Sequence, residues 1–296
     1  MFSPMIVHLL DGTYELFRHF YGLKKAKNPG DTYGAARGVL FTVLQMIETG
    51  ATHIGVATDH IIESFRNQLW RGYKTGAGID PELWAQFHPL EEALDAMGVA
   101  VWPMVELEAD DALASAAAIA AADLAVDKVC IWTPDKDLAQ CVVGERVVQV
   151  DRKSGQIRDA AGVQARFGVT PASIPDYLAL VGDSADGYPG LPGWGAKSAA
   201  AVLARFTHLE NIPQDSAEWR AGVHSGWQLS QTLNANRELV LLFRTLARLR
   251  ADAPLFASTD ALQWRGPKPE FAAWAERMGS QELVHKAERL MKRVSP

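Results

Sequence analysis

Nine carboxylates are spaced along this 296-residue chain in a pattern that suits the binding of hard cations. Asp11 and Asp59 close the apolar runs Ile6–Leu10 and Ile54–Ala57. Glu108, Asp110 and Asp111 follow the run Val99–Val105, and Asp135 and Asp137 follow Val129–Trp132. Asp183 and Asp186 lie in Gly182-Asp183-Ser184-Ala185-Asp186. If the apolar runs are neighbouring strands, these acids gather at one edge of a sheet. Like charges 4 Å apart repel by about 1 kcal/mol in water and about 4 kcal/mol at an effective dielectric of 20, so a tight cluster stays ionised only around bound cations. An oxygen-only donor set selects Mg²⁺ or Mn²⁺ rather than zinc. Read one at a time, the acids have plainer uses. Asp110 and Asp111 suit the first turn of a helix, Asp135 and Asp137 a turn and N-cap, Asp11 and Asp59 strand-to-helix turns. Their joint placement is what favours metal.

Two further segments carry phosphate chemistry. In Phe65-Arg66-Asn67-Gln68-Leu69-Trp70-Arg71-Gly72-Tyr73-Lys74, three cations alternate with aromatics, a pattern suited to a strand backbone with stacked bases, or equally to a solvated helix face. In Gly190-Leu191-Pro192-Gly193-Trp194-Gly195-Ala196-Lys197-Ser198, a P-loop is excluded because Ala196 displaces the lysine and no strand precedes the glycines. A helix–hairpin–helix turn fits better: Gly193 and Gly195 allow a tight backbone whose amides, with Lys197, hold a phosphate without reading bases. Arg18, seven residues after Asp11, falls on the first expected helix and can face the same pocket. The eight histidines show no metal-ligand spacing and are read as structural.

A scaffold must bring these groups together. Alternating strand-like and helix-like segments over the first 145 residues or so predict an α/β domain with a mainly parallel sheet. Strands are expected at Ile6–Leu10, His53–Thr58, Val99–Pro103 and Lys128–Thr133, and helices near Ala35–Thr49, Pro89–Met97, Asp110–Ala122 and Leu138–Val142. Arg146–Val150 and Gln156–Arg158 read as a hairpin. From about Val163 to Leu249 short helices are separated by Pro and Gly, and Gln281–Arg293 reads as a final helix. In open α/β sheets ligands bind beyond the carboxyl ends of the strands, where Asp11, Asp59, Glu108 and Asp135 fall. The first strand leads into Asp11-Gly12-Thr13-Tyr14, which lacks the glycine-rich turn of a nucleotide fold.

Hydrophobic content of 48% and charged content of 22% are those of a soluble globular protein. Met1–Met5 lacks the features of a signal peptide, and no apolar run approaches the roughly 18 residues of a membrane span. Cys130 and Cys141 are read as buried free thiols in a reducing cytoplasm. The net charge of −6 does not exclude nucleic acid, since two or three divalent ions (+4 to +6) bring the total to between −2 and 0.

Taken together, these motifs resemble the 5′-nuclease family: flap endonucleases and the 5′→3′ exonuclease domain of bacterial DNA polymerase I. The matching pieces run from Leu10-Asp11-Gly12 through Asp59, Phe65-Arg66, Tyr73-Lys74, Glu108-Ala109-Asp110-Asp111 and Thr133–Leu138. They continue through Gly182–Asp186, Pro189-Gly190 and Gly193–Lys197 to Leu246–Leu255. The resemblance implies a mainly parallel, PIN-like nuclease core over 1–162 with an arch region at about 66–98. It further implies a helical helix–hairpin–helix (H3TH) subdomain over 163–255 and a tail, 256–296, packing on the core. No polymerase domain follows, so a free-standing, cytoplasmic, monomeric enzyme without membrane association is expected.

The implied activity is divalent-metal-dependent 5′→3′ exonuclease and structure-specific flap endonuclease action on DNA carrying a 5′ flap, a nick or a 5′-ended duplex. Asp11, Asp59, Glu108, Asp110, Asp111, Asp135, Asp137, Asp183 and Asp186 would then hold two or more Mg²⁺ or Mn²⁺ ions. Lys74 and Arg66, with Arg18, would act on the scissile phosphate. Gly193, Trp194, Gly195, Lys197 and Ser198 would grip duplex with K⁺ at the turn, and Arg71 and Tyr73 would contact the strand. Two features depart from the family: Ala77 stands where an arginine is usual, and Gly187 where an asparagine is usual. Moreover, no Lys or Arg occurs from Thr75 to Asp127, a stretch with eleven acids, so weak single-strand affinity is expected. A non-catalytic structure-specific DNA-binding protein and an RNA- or hybrid-directed nuclease remain as rivals.

Overall fold

A computed structural model of the chain describes residues 4–25, 31–219 and 223–294; Met1–Ser3, part of the segment read for a leader, lie outside them. The chain forms two compact units, one from Met1–Ile62, Gly76–Thr133 and Ala251–Pro296, the other from Glu63–Thr75 and Pro134–Arg250.

In the first unit, β1 (Met5–Asp11), β2 (His53–Asp59), β3 (Ala100–Met104) and β4 (Val126–Trp132) lie in the order β3-β2-β1-β4, all parallel. Leu9 is in register with Gly55 on β2 and with Ile131 on β4. Every residue of β2 is buried, as continuous apolar runs require in a sheet covered on both faces. The helices Gly34–Glu48 and Phe87–Ala96 supply Val39, Leu40, Val43, Leu44, Leu90 and Leu94 to one hydrophobic core. The Phe271–Arg277 and Gln281–Val294 helices add Phe271, Leu283, Ala287 and Leu290 to the same core. The Ala109–Ala122 helix packs on β1 and β4, its fully buried Ala112, Ala116 and Ala120 permitting close approach. Leu83, Phe87, Leu90 and Leu94 are core residues, so much of the segment expected to form an arch is interior packing.

The second unit holds the hairpin β5 (Val147–Asp151) and β6 (Gln156–Arg158), paired antiparallel. The Asp151 carboxylate accepts from the backbone N–H of Lys153 and Ser154 and closes its turn. The α-helices that follow among the described residues are Ala160–Phe167, Ile174–Val181, Ala196–Phe206, Gly226–Ala235 and Arg237–Ala247. Ile174, Leu178, Val202, Leu203, Trp219 and Phe243 form part of its core. Where a helix was expected at Leu138–Val142, the chain makes a 3₁₀ turn, Asp137–Cys141. It opens with Asp137 N–H donating to Asp135 Oδ1 at 3.0 Å, a local cap that favours a tight short turn over an α-helix. Cys130 is buried, which pushes its thiol up to about 11, whereas Cys141 is partly exposed, contrary to the expectation that both are interior. Among the described residues no helix is long and apolar enough to cross a membrane.

Candidate active site

The acidic residues of the second unit are gathered by a closed loop. The Ile174–Val181 helix ends at Gly182, and Asp183 N–H then donates to the Tyr188 carbonyl at 2.8 Å while Tyr188 N–H returns to the Asp183 carbonyl at 3.0 Å. Residues 183–188 are thereby bent back on themselves. One carboxylate oxygen each from Asp137, Asp183 and Asp186 lies within 4.8 Å of the others, and all three residues are buried. Asp137 Oδ1 and the Tyr188 hydroxyl have no hydrogen-bond partner among the described residues. Burial, then the charges of Asp135, Asp186 and Asp183, push the Asp137 carboxyl well above the ordinary carboxylate range, with Lys74 acting against them. Burial, then the charges of Asp137, Asp186, Asp183 and Asp135, raise the Tyr188 hydroxyl. A buried, unsatisfied oxygen among converging carboxylates fits a hard divalent cation, which supplies the missing charge and the missing contact together.

Two lysines border this cluster. Lys74 Nζ stands 3.2 Å from Asp186 Oδ1, and Lys136 Nζ 2.7 Å from Asp183 Oδ2. Burial alone would lower the Lys136 ammonium, but the hydrogen bond and charge of Asp183, with Asp137 and Asp135, raise it. Lys136 was missed in the sequence, although its place between two candidate ligands, in Thr133-Pro134-Asp135-Lys136-Asp137, was a usable signal. Lys74 is held by backbone contacts: its N–H donates to the Asp186 carbonyl at 2.9 Å, and its own carbonyl accepts from Asn67 Nδ2 at 2.9 Å. The Trp70 indole N–H donates to the Gly187 carbonyl at 3.0 Å. Gly187 has φ +85°, and a Cβ there would meet the Gly72 carbonyl oxygen at 2.0 Å. Gly187 therefore has a physical reason: only a residue without a side chain lets the Gly72–Lys74 segment lie against the acidic loop.

Arg66, expected at the phosphate, is 1% exposed. Its guanidinium donates to the carbonyls of Leu246 at 2.8 Å and Arg248 at 3.1 Å, so it clamps the end of the Arg237–Ala247 helix. Tyr73 and Trp194, expected on a DNA-contacting surface, are likewise core residues. Trp194 donates its indole N–H to the Leu229 carbonyl at 3.3 Å, and its ring centroid lies 5.7 Å from that of Trp219. Aromatic residues interleaved with cations misled the sequence reading because large apolar rings are as useful to a core as to a base stack. Arg71, Gly193, Gly195 and Lys197 are exposed and Ser198 half-buried. Gly195 N–H donates to Ser198 Oγ at 3.0 Å, which in turn donates to the Gly195 carbonyl at 3.0 Å, fixing the entry to the Ala196–Phe206 helix.

In the first unit, Asp11 and Asp59 terminate the neighbouring parallel strands β1 and β2. Asp11 accepts from Tyr14 N–H at 2.8 Å and from the Thr133 hydroxyl, just beyond β4, at 3.0 Å. Asp59 Oδ1 accepts from Ala109 N–H at 2.8 Å, which brings it to the start of the helix that carries Asp110 and Asp111. Asp111 accepts from Glu108 N–H at 3.0 Å. Asp11, Asp59, Glu108 and Asp111 are buried and Asp110 half-buried, whereas Asp135 in the second unit is exposed. Asp11 is thus engaged through both oxygens, Oδ1 by Tyr14 N–H and Oδ2 by the Thr133 hydroxyl. Arg18 pairs with buried Glu15 at 2.5 Å, a hydrogen bond that raises the guanidinium's already high proton affinity. The reading that no histidines have ligand spacing is corrected, because His60 and His88 converge with Glu91 in this unit.

Residues 6–168 match the family model "5′-3′ exonuclease, N-terminal resolvase-like domain". The chain belongs to the 5′-3′ exonuclease family. Residues 169–270 match the companion model "5′-3′ exonuclease, C-terminal SAM fold". DNA polymerase I of Bacillus caldotenax is 32% identical over 289 residues, covering 95% of this chain but 32% of that protein. The chain thus spans about a third of the length of the polymerases it matches. The 5′-3′ exonuclease of Buchnera aphidicola is 28% identical over 261 residues, 86% of this chain and 88% of that one. The phage T5 D15 protein, crystallised with metal ions, aligns with a TM-score of 0.67 at 16% identity over 97% of this chain and 98% of its own. The catalytic core of Rad2 in complex with DNA substrate aligns at 0.63 and 14% identity over 97% and 92%. At these identities the two structures establish the fold, a parallel α/β core with a helical C-terminal part.

Proposed function

We propose that this 5′-3′ exonuclease family member is a structure-specific 5′ nuclease that hydrolyses DNA near 5′ ends and at single-strand–duplex junctions. The reading rests chiefly on the buried Asp137, Asp183 and Asp186 cluster bordered by Lys74 and Lys136. In it, Asp11, Asp59, Glu108, Asp110 and Asp111 of the first unit and Asp135, Asp137, Asp183 and Asp186 of the second are ligands for two or more Mg²⁺ or Mn²⁺ ions. When bound, these ions supply charge compensation for an in-line displacement and a more acidic water.

The chain's own residues then have separate tasks. Lys74, released from Asp186 by the arriving phosphate, offsets charge on its non-bridging oxygens. Lys136 holds Asp183 in orientation through their ion pair. Arg66 acts as a positioning residue through the 246–248 backbone. The Gly193–Lys197 turn and its exposed Lys197 hold a duplex phosphate, with K⁺ as the companion ion at that turn. The solved T5 and Rad2 neighbours, described with metal ions and with DNA, lend support.

End-labelled DNA and RNA flaps incubated with Mg²⁺, Mn²⁺ or EDTA, beside an Asp135→Ala variant, test this. DNA cleavage that needs metal and is lost in the variant is expected. Cleavage in EDTA, or full activity in the variant, overturns the mechanism, and preferred cleavage of RNA overturns the substrate.

A further inference from the structure

A second group of ligating side chains lies in the first unit and differs chemically from the carboxylate sets. His60 directly follows β2, and His88 and Glu91 sit one turn apart on the Phe87–Ala96 helix. One nitrogen of each ring and one Glu91 oxygen all lie within 4.8 Å of one another. The imidazoles are stacked, their centroids 4.0 Å apart and their planes 6° from parallel. His60 Nδ1 is 2.7 Å from Glu91 Oε2.

Glu91 is buried, and its second oxygen accepts from the Thr58 hydroxyl at 2.9 Å, a contact that fixes the carboxylate from behind. Metal-binding carboxylates and imidazoles are oriented by such outer partners. His88 is exposed and His60 half-exposed; His60 Nδ1 faces Glu91 and His88 Nε2 lies 3.2 Å from the His60 carbonyl oxygen, so an entering ion replaces these contacts. A cavity of about 770 Å³ opens on the three residues and is also lined by Glu92, Asp95, Glu270 and Lys268. Lys268 is occupied by Asp95 at 2.8 Å, leaving the wall net acidic and favourable to an entering cation.

We propose that His60, His88 and Glu91 bind one transition-metal ion of the Zn²⁺ class, with water completing the shell from the cavity. Two imidazoles and one carboxylate suit a borderline ion and suit Mg²⁺ poorly, the reverse of the oxygen-only sets. The ion bridges the end of β2, which carries Asp59, to the Phe87–Ala96 helix. It is a stabilising or regulatory ion, separate from the catalytic ones.

Calorimetric titration of the full chain with ZnCl₂ in saturating MgCl₂, which occupies the carboxylate sets, isolates this site. One equivalent is expected to bind the native protein and to raise its thermal midpoint. His88→Ala, at an exposed position, and Glu91→Gln, which retains the Thr58 contact, should each abolish that equivalent. Thr58→Val, which removes only the outer hydrogen bond, should weaken it by about 10–100-fold. Co²⁺ substituted at the site should give nitrogen-ligated visible absorption in the native protein and not in His88→Ala. Mg²⁺-supported cleavage by His88→Ala should stay at the native level. An unchanged zinc equivalent in His88→Ala and Glu91→Gln, or its loss in Asp137→Asn with both of these unaffected, overturns the assignment.

Discussion

Asp137 concentrates the conflict between stability and chemistry in one side chain. Its carboxyl is fully interior, faces three other acids and leaves one oxygen unsatisfied among the described residues. Without metal, ionising it opposes folding; under the proposed function, the same charge would serve as a ligand. Asp137→Asn should therefore raise the thermal midpoint measured in EDTA while removing nearly all Mg²⁺-dependent cleavage, a trade expected where an active site is built at the expense of stability. A lower midpoint in EDTA would mean that the acid is satisfied without an ion. Lys74→Met should leave the midpoint nearly unchanged and lower kcat by about 10²–10³-fold, the usual cost of removing one charge-stabilising donor. Gly187→Ala tests the close approach that brings Lys74 to Asp186: a Cβ at φ +85° and 2.0 Å from the Gly72 oxygen should cost about 1–3 kcal/mol in a urea titration and reduce cleavage as well. The convergence of Asp137, Asp183 and Asp186 was legible from their joint placement, although each acid read alone has plainer uses. Arg66, Tyr73 and Trp194 were misjudged because burial depends on long-range packing: Arg66 is satisfied by carbonyls 180 and 182 residues away.

At the scale of elements, parallel strands with continuous apolar runs were readable to within one or two residues, as β1, β2 and β3 show against Ile6–Leu10, His53–Thr58 and Val99–Pro103. The region after Lys74 was not readable in the same way. Its lack of cations suggested an unusual arch, whereas Leu83, Phe87, Leu90 and Leu94 pack its helices into the core. The same strands hold a pH-sensitive element. His8 on β1 accepts the Trp132 indole N–H through Nδ1 at 3.0 Å, and burial, with the nearby His53, lowers it from 6.5 to about 4. His53 is also lowered by burial. A histidine depressed in the folded state contributes stability that is complete above its unfolded value and is lost as pH falls toward the folded one. Unfolding free energy should thus decline between pH 6.5 and about 4, with His8 accounting for on the order of 3 kcal/mol. His8→Gln should flatten that limb in urea titrations across the range. In the second unit, buried Asp176 is held by His208 at 2.9 Å and Arg244 at 3.1 Å, and Arg244→Ala should cost about 3–5 kcal/mol by leaving that charge undercompensated.

For the whole molecule, charge distribution decides which nucleic acid is favoured. The net charge is −6, and no Lys or Arg occurs over residues 75–127, which carry eleven acids. A protein that gripped a free single strand by its phosphates would need cations there, since each neutralised phosphate contributes to binding through released counterions. Lys197 is an exposed cation at the helix–hairpin–helix turn, in the first turn of the Ala196–Phe206 helix, whose N-terminal end favours an anion such as a duplex phosphate. Binding should then depend on duplex, and modestly on salt. Single-turnover cleavage of an end-labelled 5′ flap, a nicked duplex and the free single strand, all in Mg²⁺, should rank the two duplex-containing substrates first. Lys197→Ala should raise KM for both with little change in kcat, and should reduce the slope of log affinity against log salt by about 1. For the free strand the variant and native enzyme should be indistinguishable. Fastest cleavage of the free strand would show that phosphate recognition lies elsewhere, because neither the acidic 75–127 stretch nor a single lysine at a turn has the charge to produce that order.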